Sequence, residues 1–311
     1  MNTIWEQRIG RRTFLGWQIR GGLLVLTGLV TPASLLASST PDIALAKGDP
    51  GSATRAAVEL MGGMRAFVRK GQRVVIKPNM SFDQPPEMAT TTHPEVISTL
   101  VRMCKEAGAS RVDVLDHPLR SAELCLERSG IKEACEIIEP DTARGVISPE
   151  RFKETEIPDS EQLKSTEVMK TVLKSDVLIS APVAKHHSST GVSLSLKGML
   201  GLIYNRGVLH WRYNLHKAIV DLCTLLKADL TVIDVTRALT TNGPSGPGKV
   251  EKLDYVLASR DMVAADAQVT SMVKWYGRSI PPHEVEHIKI AHNRGLGNMN
   301  LSQQVIKKVQ V

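Results

Sequence analysis

Between Ser180 and Gly201 the chain reads S-A-P-V-A-K-H-H-S-S-T-G-V-S-L-S-L-K-G-M-L-G, with Lys185, His186, His187 and Lys197 just beyond an apolar run that ends at Ala181. Imidazole titrates near neutral pH and serves as acid, base or metal ligand, while lysine holds a phosphate or carboxylate or forms a covalent link. Neighbouring side chains on extended backbone point to opposite sides, so only one of His186 and His187 easily faces a given site. His187 and Lys197, with Lys185 beside them, are the expected catalytic group, His187 as a proton shuttle.

Polar residues recur wherever an apolar run ends: Lys77 and Asn79, Asp116 and His117, Asp234 and Arg237, Asp261 and Asp266. In open α/β sheets ligands bind in the crevice outside the carboxyl ends of the strands. Lys77, Asn79 and Arg237 are therefore expected to bind an anion, and His210, Asp116, Asp234 and Asp261 are the candidate metal ligands. The competing reading is that any strand leaves the core through a polar loop, and it stays open at this level.

The elements that must position these groups follow from periodicity. Short apolar runs at Arg73 to Asn79, Arg111 to Asp116, Asp176 to Ala181, Leu230 to Val235 and Leu253 to Ser259 read as buried strands, with a last one near Val305 to Val311. Helical patterns run from Gly51 to Lys70, from His93-Pro94 to Ala107, over Ser121 to Glu133 with a break at Gly130, and from Trp211 to Lys227. Further helices are expected from Val168 to Lys174, from Asp261 to about Tyr276 and around Val285 to His292. Cys135 to Ile138 is a further candidate strand, and residues near 140–167 read as an irregular excursion or a small β insertion. The alternation predicts an α/β fold, a doubly wound and mainly parallel sheet with helices on both faces.

Two nucleotide motifs are excluded. Gly243 to Lys249 begins like a phosphate loop, but Val250 stands where Ser or Thr must hold magnesium, and Pro244 and Pro247 remove amide donors. The loop reads instead as a rigid turn bordering the site. No G-x-G-x-x-G follows the first strand. Cys104, Cys125, Cys135 and Cys223 form no C-x-x-C pair, so no iron–sulfur motif is present. They read as small buried residues, with a Cys125–Cys135 disulfide as the alternative.

Composition fits one large globular unit, with 42% hydrophobic and 23% charged residues over 311 positions. Gly10-Arg11-Arg12-Thr13-Phe14-Leu15-Gly16 is a twin-arginine pattern. An apolar run from Gly21 to Ala37 and an A-x-A site at Ala44-Leu45-Ala46 follow it. Residues 1–46 are thus expected to be an export leader cut after Ala46. That leaves a periplasmic domain at 47–311 and makes the twin-arginine translocation machinery a partner. An uncleaved leader would be the one route to membrane attachment. Without the leader's four arginines and two acids the net charge of +7 falls to +5. Mildly basic, with 4% aromatic residues and no aromatic-laced basic run, the chain lacks the footprint of a nucleic-acid binder.

These pieces in order resemble the domain-of-unknown-function family 362: Val75-Ile76-Lys77-Pro78-Asn79, Thr92-His93-Pro94, Gly108-Ala109 before Asp116, Asp176-Val177-Leu178-Ile179, Pro182-x2-Lys185-x-His187, Lys197-Gly198-Met199-Leu200-Gly201, Gly243-Pro244 with Gly246, and Ser259 to Asp266. Many members carry a ferredoxin-like segment, which this chain does not match, so any redox link implies a separate partner. More distantly, a strand, then His187, Lys197 and His210 look like the nickel-pincer lactate racemase family. That likeness implies Lys197 as a cofactor anchor, His210 as a metal ligand and His187 as an acid/base. The function expected is a metal- or cofactor-dependent enzyme acting on a small anionic substrate. The alternatives are a non-catalytic periplasmic solute- or metal-binding protein and a racemase or epimerase.

Overall fold

The computed structural model describes residues 40–311, which form one unit. Its first strand comes from an unexpected place: β1 (Ile43–Lys47) contains the Ala44-Leu45-Ala46 triplet, and Ile43, Ala44 and Ala46 are fully buried. α1 (Pro50–Leu60) follows, capped by Asp49, which accepts from Ser52 N at 3.0 Å, and led by a proline whose missing N–H has no helical partner to lose. The helical pattern expected to reach Lys70 stops at Leu60, because Gly62 and Gly63 take positive φ.

β2 (Arg73–Pro78), α2 (Pro94–Glu106) and β3 (Arg111–Asp116) make the expected strand, helix, strand unit, with β2 and β3 parallel. Gly130 splits the next pattern into α3 (Ala122–Arg128) and α4 (Ile131–Glu136). Cys135, assigned above to a candidate strand, lies on α4 instead; the short apolar run there is one buried helical stripe of Ile131 and Cys135. β4 (Ala143–Gly145) closes one sheet edge. β5 (Phe152–Glu156) and β6 (Ser165–Met169) form a separate antiparallel pair, so the region near 140–167 does contain a small β insertion. The helix expected from Val168 shrinks to α5 (Lys170–Leu173).

β7 (Val177–Ala181) ends at Pro182, and the chain then re-forms strand as β8 (Val183–His187), which turns back as β9 (Gly191–Ser193). α6 (Ser195–Gly198) and α7 (Leu209–Arg212) are short; α8 (Leu215–Leu225) is the core of the longer helix expected from Trp211. β10 (Leu230–Leu239), β11 (Val250–Ser259), α9 (Met262–Met272), α10 (Glu286–Asn293) and β12 (Ile306–Gln310) complete the chain.

The sheet order is β12-β1-β11-β10-β7-β2-β3-β4, with β8 alongside β10 and β9 alongside β8. β2, β3, β4, β7, β8 and β10 pair in parallel, whereas β11 runs antiparallel to both β10 and β1. The sheet is therefore mixed and mostly parallel. β7 is buried along its whole length, as expected of a strand covered on both faces. One apolar cluster joins α1, α2 and α4 to one face, and another joins α6, α8, α9 and α10 to the other. The four cysteines are buried free thiols, and Cys125 and Cys135 are not bonded to each other. Burial pushes the Cys104 thiol up to about 12.

The twin-arginine pattern and the apolar run lie outside the described residues. Among the described residues no helix is long and apolar enough to cross a membrane.

A buried cationic cavity as the candidate functional site

The site begins with a proline. Pro182 has no N–H to continue the ladder, so β10 pairs with β7 through Leu230 and Thr231 and then with β8 through Asp234, Ala238 and Leu239. Asp234 N donates to Pro182 O at 2.8 Å, and Asn79 Oδ1 accepts from Val183 N at 3.0 Å, fixing the step. The β8–β9 hairpin carries Lys185 and His187 past the end of β7, toward Lys77 and Asn79 at the end of β2 and Asp116 at the end of β3. α6 supplies Lys197. Its amides at Ser195 and Leu196 donate to the two carboxylate oxygens of fully buried Asp266, at 2.8 and 2.9 Å, which clamps the start of that turn.

A cavity of about 150 Å³ opens between these ends, lined by Lys77, Lys185, Lys197, His187, Asp116 and Arg206, with Phe82, Asn79 and His210 also on its wall. Lys77 and Asp116 form a fully buried ion pair at 3.2 Å, and Lys77 also donates to Pro78 O. Asp116 Oδ2 accepts from Met80 N at 3.0 Å and from Ser81 Oγ at 2.8 Å. Gly201 lies against this pair, and its lack of a side chain is required: a Cβ there would run into Asp116 Oδ1 and the end of Lys77. Lys185 donates to Thr90 O at 2.8 Å, with its ammonium 4.9 Å from the Phe82 ring centroid.

Lys197 and Arg206 are different. Among the described residues Lys197 Nζ has no hydrogen-bond or ion-pair partner, and buried Arg206 Nη2 has no acceptor. One carboxylate thus faces four cations. The crowding appears in the proton affinities: burial, then the balance of Asp116 against Lys77, Lys197 and Arg206, pulls Lys185 down to about 7. Burial with Arg206 and Lys77 pulls Lys197 down to about 7 as well. His187 is held neutral, down to about 2, by burial and then by Lys197 and Lys185. Its Nδ1 accepts from Ser189 N at 3.1 Å, so the neutral ring carries its proton on Nε2. With its proton on Nε2, His187 can donate a hydrogen bond into the cavity. The His187 and His210 rings stack with centroids 6.1 Å apart.

The structure does not bring all the expected site residues together. Arg237 lies in a separate, larger cleft of about 720 Å³ with His93, Lys47 and Lys252. It is spent on Asp234 at 3.2 Å and Thr91 O at 3.3 Å. Asp234 also accepts from His93 N at 2.8 Å. Asp261 caps α9, taking Val263 N at 2.7 Å and Ala264 N at 3.0 Å, and accepts from Asn298 N at 2.7 Å. Of the expected metal ligands, His210 and Asp116 line the cavity while Asp234 and Asp261 lie outside it, and among the described residues no three His, Cys, Asp or Glu side chains converge as metal ligands would. We place the site in the smaller cavity because the unpaired buried charge is there. Arg206 and Phe82 were missed from sequence. Arg206 had one signal, a lone cation in the turn five residues after Gly201; Phe82 had none.

Fold and cavity together define an α/β protein with a buried cationic site at the carboxyl ends of its parallel strands. The profile of the domain of unknown function DUF362 matches residues 74–271, and the chain belongs to that family. The thylakoid-associated protein sll1697 of Synechocystis is 24% identical over 237 residues, covering 73% of this chain and 71% of that protein. Among solved structures, the lactate racemase apoprotein from Thermoanaerobacterium thermosaccharolyticum is similar over 70% of this chain and 53% of its own, with 12% identity and a TM-score of 0.46. A Thermotoga maritima protein solved by structural genomics is similar over 66% of this chain and 55% of its own, with 14% identity and a TM-score of 0.40. The chain spans about half the length of these two structures.

Proposed function

We propose that the chain is an enzyme whose site binds a small anion, a carboxylic acid or phosphate compound, at Lys77, Lys185, Lys197 and Arg206. The observation that supports this is the uncompensated buried charge, four cations against Asp116, with Arg206 Nη2 and Lys197 Nζ both lacking an acceptor. Two unit charges about 4 Å apart interact by about 4 kcal/mol at an effective dielectric constant near 20. An anion among several cations thus gains enough to offset much of its desolvation. At about 30 Å³ per water, the cavity suits a ligand of roughly five to ten non-hydrogen atoms.

Within the site, His187 Nε2–H and Arg206 donate hydrogen bonds to the ligand, and Lys197, titrating near neutrality, is the reactive amine. Asp116 holds Lys77 in place and opposes the burial that lowers its proton affinity. The charge pattern suits an acidic substrate or an acidic organic cofactor better than a bare metal ion. The leader reading of the N-terminal residues adds the proposal that the enzyme works after export, in the periplasm.

The test is thermal unfolding of the full chain below neutral pH with phosphate, lactate, pyruvate or succinate against chloride at matched ionic strength. At least one of these anions raises the midpoint by several degrees, and Arg206→Met and Lys197→Met each remove the shift. If all four act like chloride, the reading fails. Binding without turnover of any acid bound would favour the solute-binding alternative.

A further inference from the structure

Resting on that anion-site reading, we propose that Lys197 Nζ is a nucleophile that condenses with the carbonyl carbon of a small 2-oxo acid, forming a Schiff base. The three lysines of the cavity are not equivalent. Lys77 is tied to Asp116 at 3.2 Å, and Lys185 is tied to Thr90 O at 2.8 Å. Lys197 is 9% exposed, lines the cavity, and has no partner among the described residues. A nucleophilic amine needs a free lone pair, an approach to the substrate and a fixed base. The Asp266 clamp on Ser195 N and Leu196 N fixes α6, and with it the root of the Lys197 side chain.

The surroundings supply the rest. Burial, and then Arg206 and Lys77, disfavour the ammonium form of Lys197, so a good fraction is free amine at neutral pH. Arg206, with its unpaired Nη2, and Lys185 are placed to hold the carboxylate, and His187 Nε2–H can donate to the carbonyl oxygen. The lysine lone pair forms the C–N bond while the carbonyl π pair moves to oxygen; one amine proton passes to that oxygen, giving the carbinolamine. The C–O bond then breaks, the hydroxyl leaves with the second amine proton as water, and nitrogen closes the C=N bond. No oxidant or reductant is consumed.

Reductive trapping tests this directly. The full chain is incubated near neutral pH with pyruvate and sodium cyanoborohydride, then subjected to intact mass measurement and peptide mapping. One saturable label at Lys197 is expected, its rate rising with pH across neutrality and falling when lactate, which has the carboxylate but no carbonyl, competes. Lys197→Arg, which keeps the charge and retains the wild-type circular dichroism, takes no label in the cavity. A label on Lys77 or Lys185, or spread over surface lysines without preference for Lys197, overturns the proposal. Absence of label while lactate and pyruvate both raise the unfolding midpoint also overturns it, but leaves the anion site standing. If neither trapping nor a midpoint shift occurs, both readings fall.

Discussion

A lysine buried without a counter-ion changes its proton affinity, and that change has a sign that can be measured. Lys197 ordinarily titrates at 10.5 and is pulled to about 7 in the folded chain, chiefly by burial. Between those values the unfolded chain binds the extra proton, so stability rises with pH over that window. Below about 7 the cost of holding the buried ammonium is present in full. Lys185 acts in the same direction over the same range. Lys197→Met should therefore raise the unfolding free energy below neutral pH, by about 1 kcal/mol or more, and flatten its rise toward alkaline pH. Urea denaturation at both ends of the window measures this. A variant less stable than the wild type below neutrality would mean that Lys197 has a stabilising partner. The same residue then improves stability when removed and destroys ligand binding, the usual conflict of a functional group.

At the scale of elements, the residues after Ala181 were legible and their arrangement was not. The strands ending at Pro78, Asp116 and Ala181, and α2 starting after His93, follow directly from apolar runs and a proline at the first helical turn. The β8–β9 hairpin is invisible to periodicity because its strands are short and carry Lys185, His186 and His187, which read as loop. Its pairing with β10 depends on a partner far along the chain. The aspartates differ in ways their shared setting hides: Asp234, Asp261 and Asp116 all follow apolar runs, yet Asp234 pairs with Arg237, Asp261 caps α9, and Asp116 pairs with Lys77 on the cavity wall. Gly201 gives a prediction at this scale. Gly201→Ala pushes a methyl group into the Lys77–Asp116 pair, so the strand ends must spread. A loss of about 1–3 kcal/mol in urea denaturation is expected, together with a weaker anion-induced midpoint shift. An unchanged anion response would separate that ion pair from the site.

For the whole molecule, the revised element is β1. Cutting after Ala46, as the A-x-A pattern suggests, would remove four of its five residues from between β11 and β12. Ile43, Ala44 and Ala46 are fully buried and Leu45 nearly so, and stripping them would expose both neighbouring strands. Any processing compatible with this sheet therefore acts before Asp42, which also accepts from Val305 N at 2.8 Å. Intact mass and N-terminal sequencing of the protein purified from its native host should find residues 43–47 retained. A chain begun at Lys47 should aggregate, while one begun at Thr40 folds. Recovery of a folded, ligand-responsive protein starting at Lys47 would refute this.

The pairing of β1 with β12 also sets an order of events. β12 lies parallel to β1, and Val311 donates its amide to Lys47 O at 2.8 Å. The outer edge of β1 thus waits for residues far along the chain to be synthesised. Until those residues are made β1 keeps one open, apolar edge, so a chain lacking residues 306–310 leaves that edge unpaired.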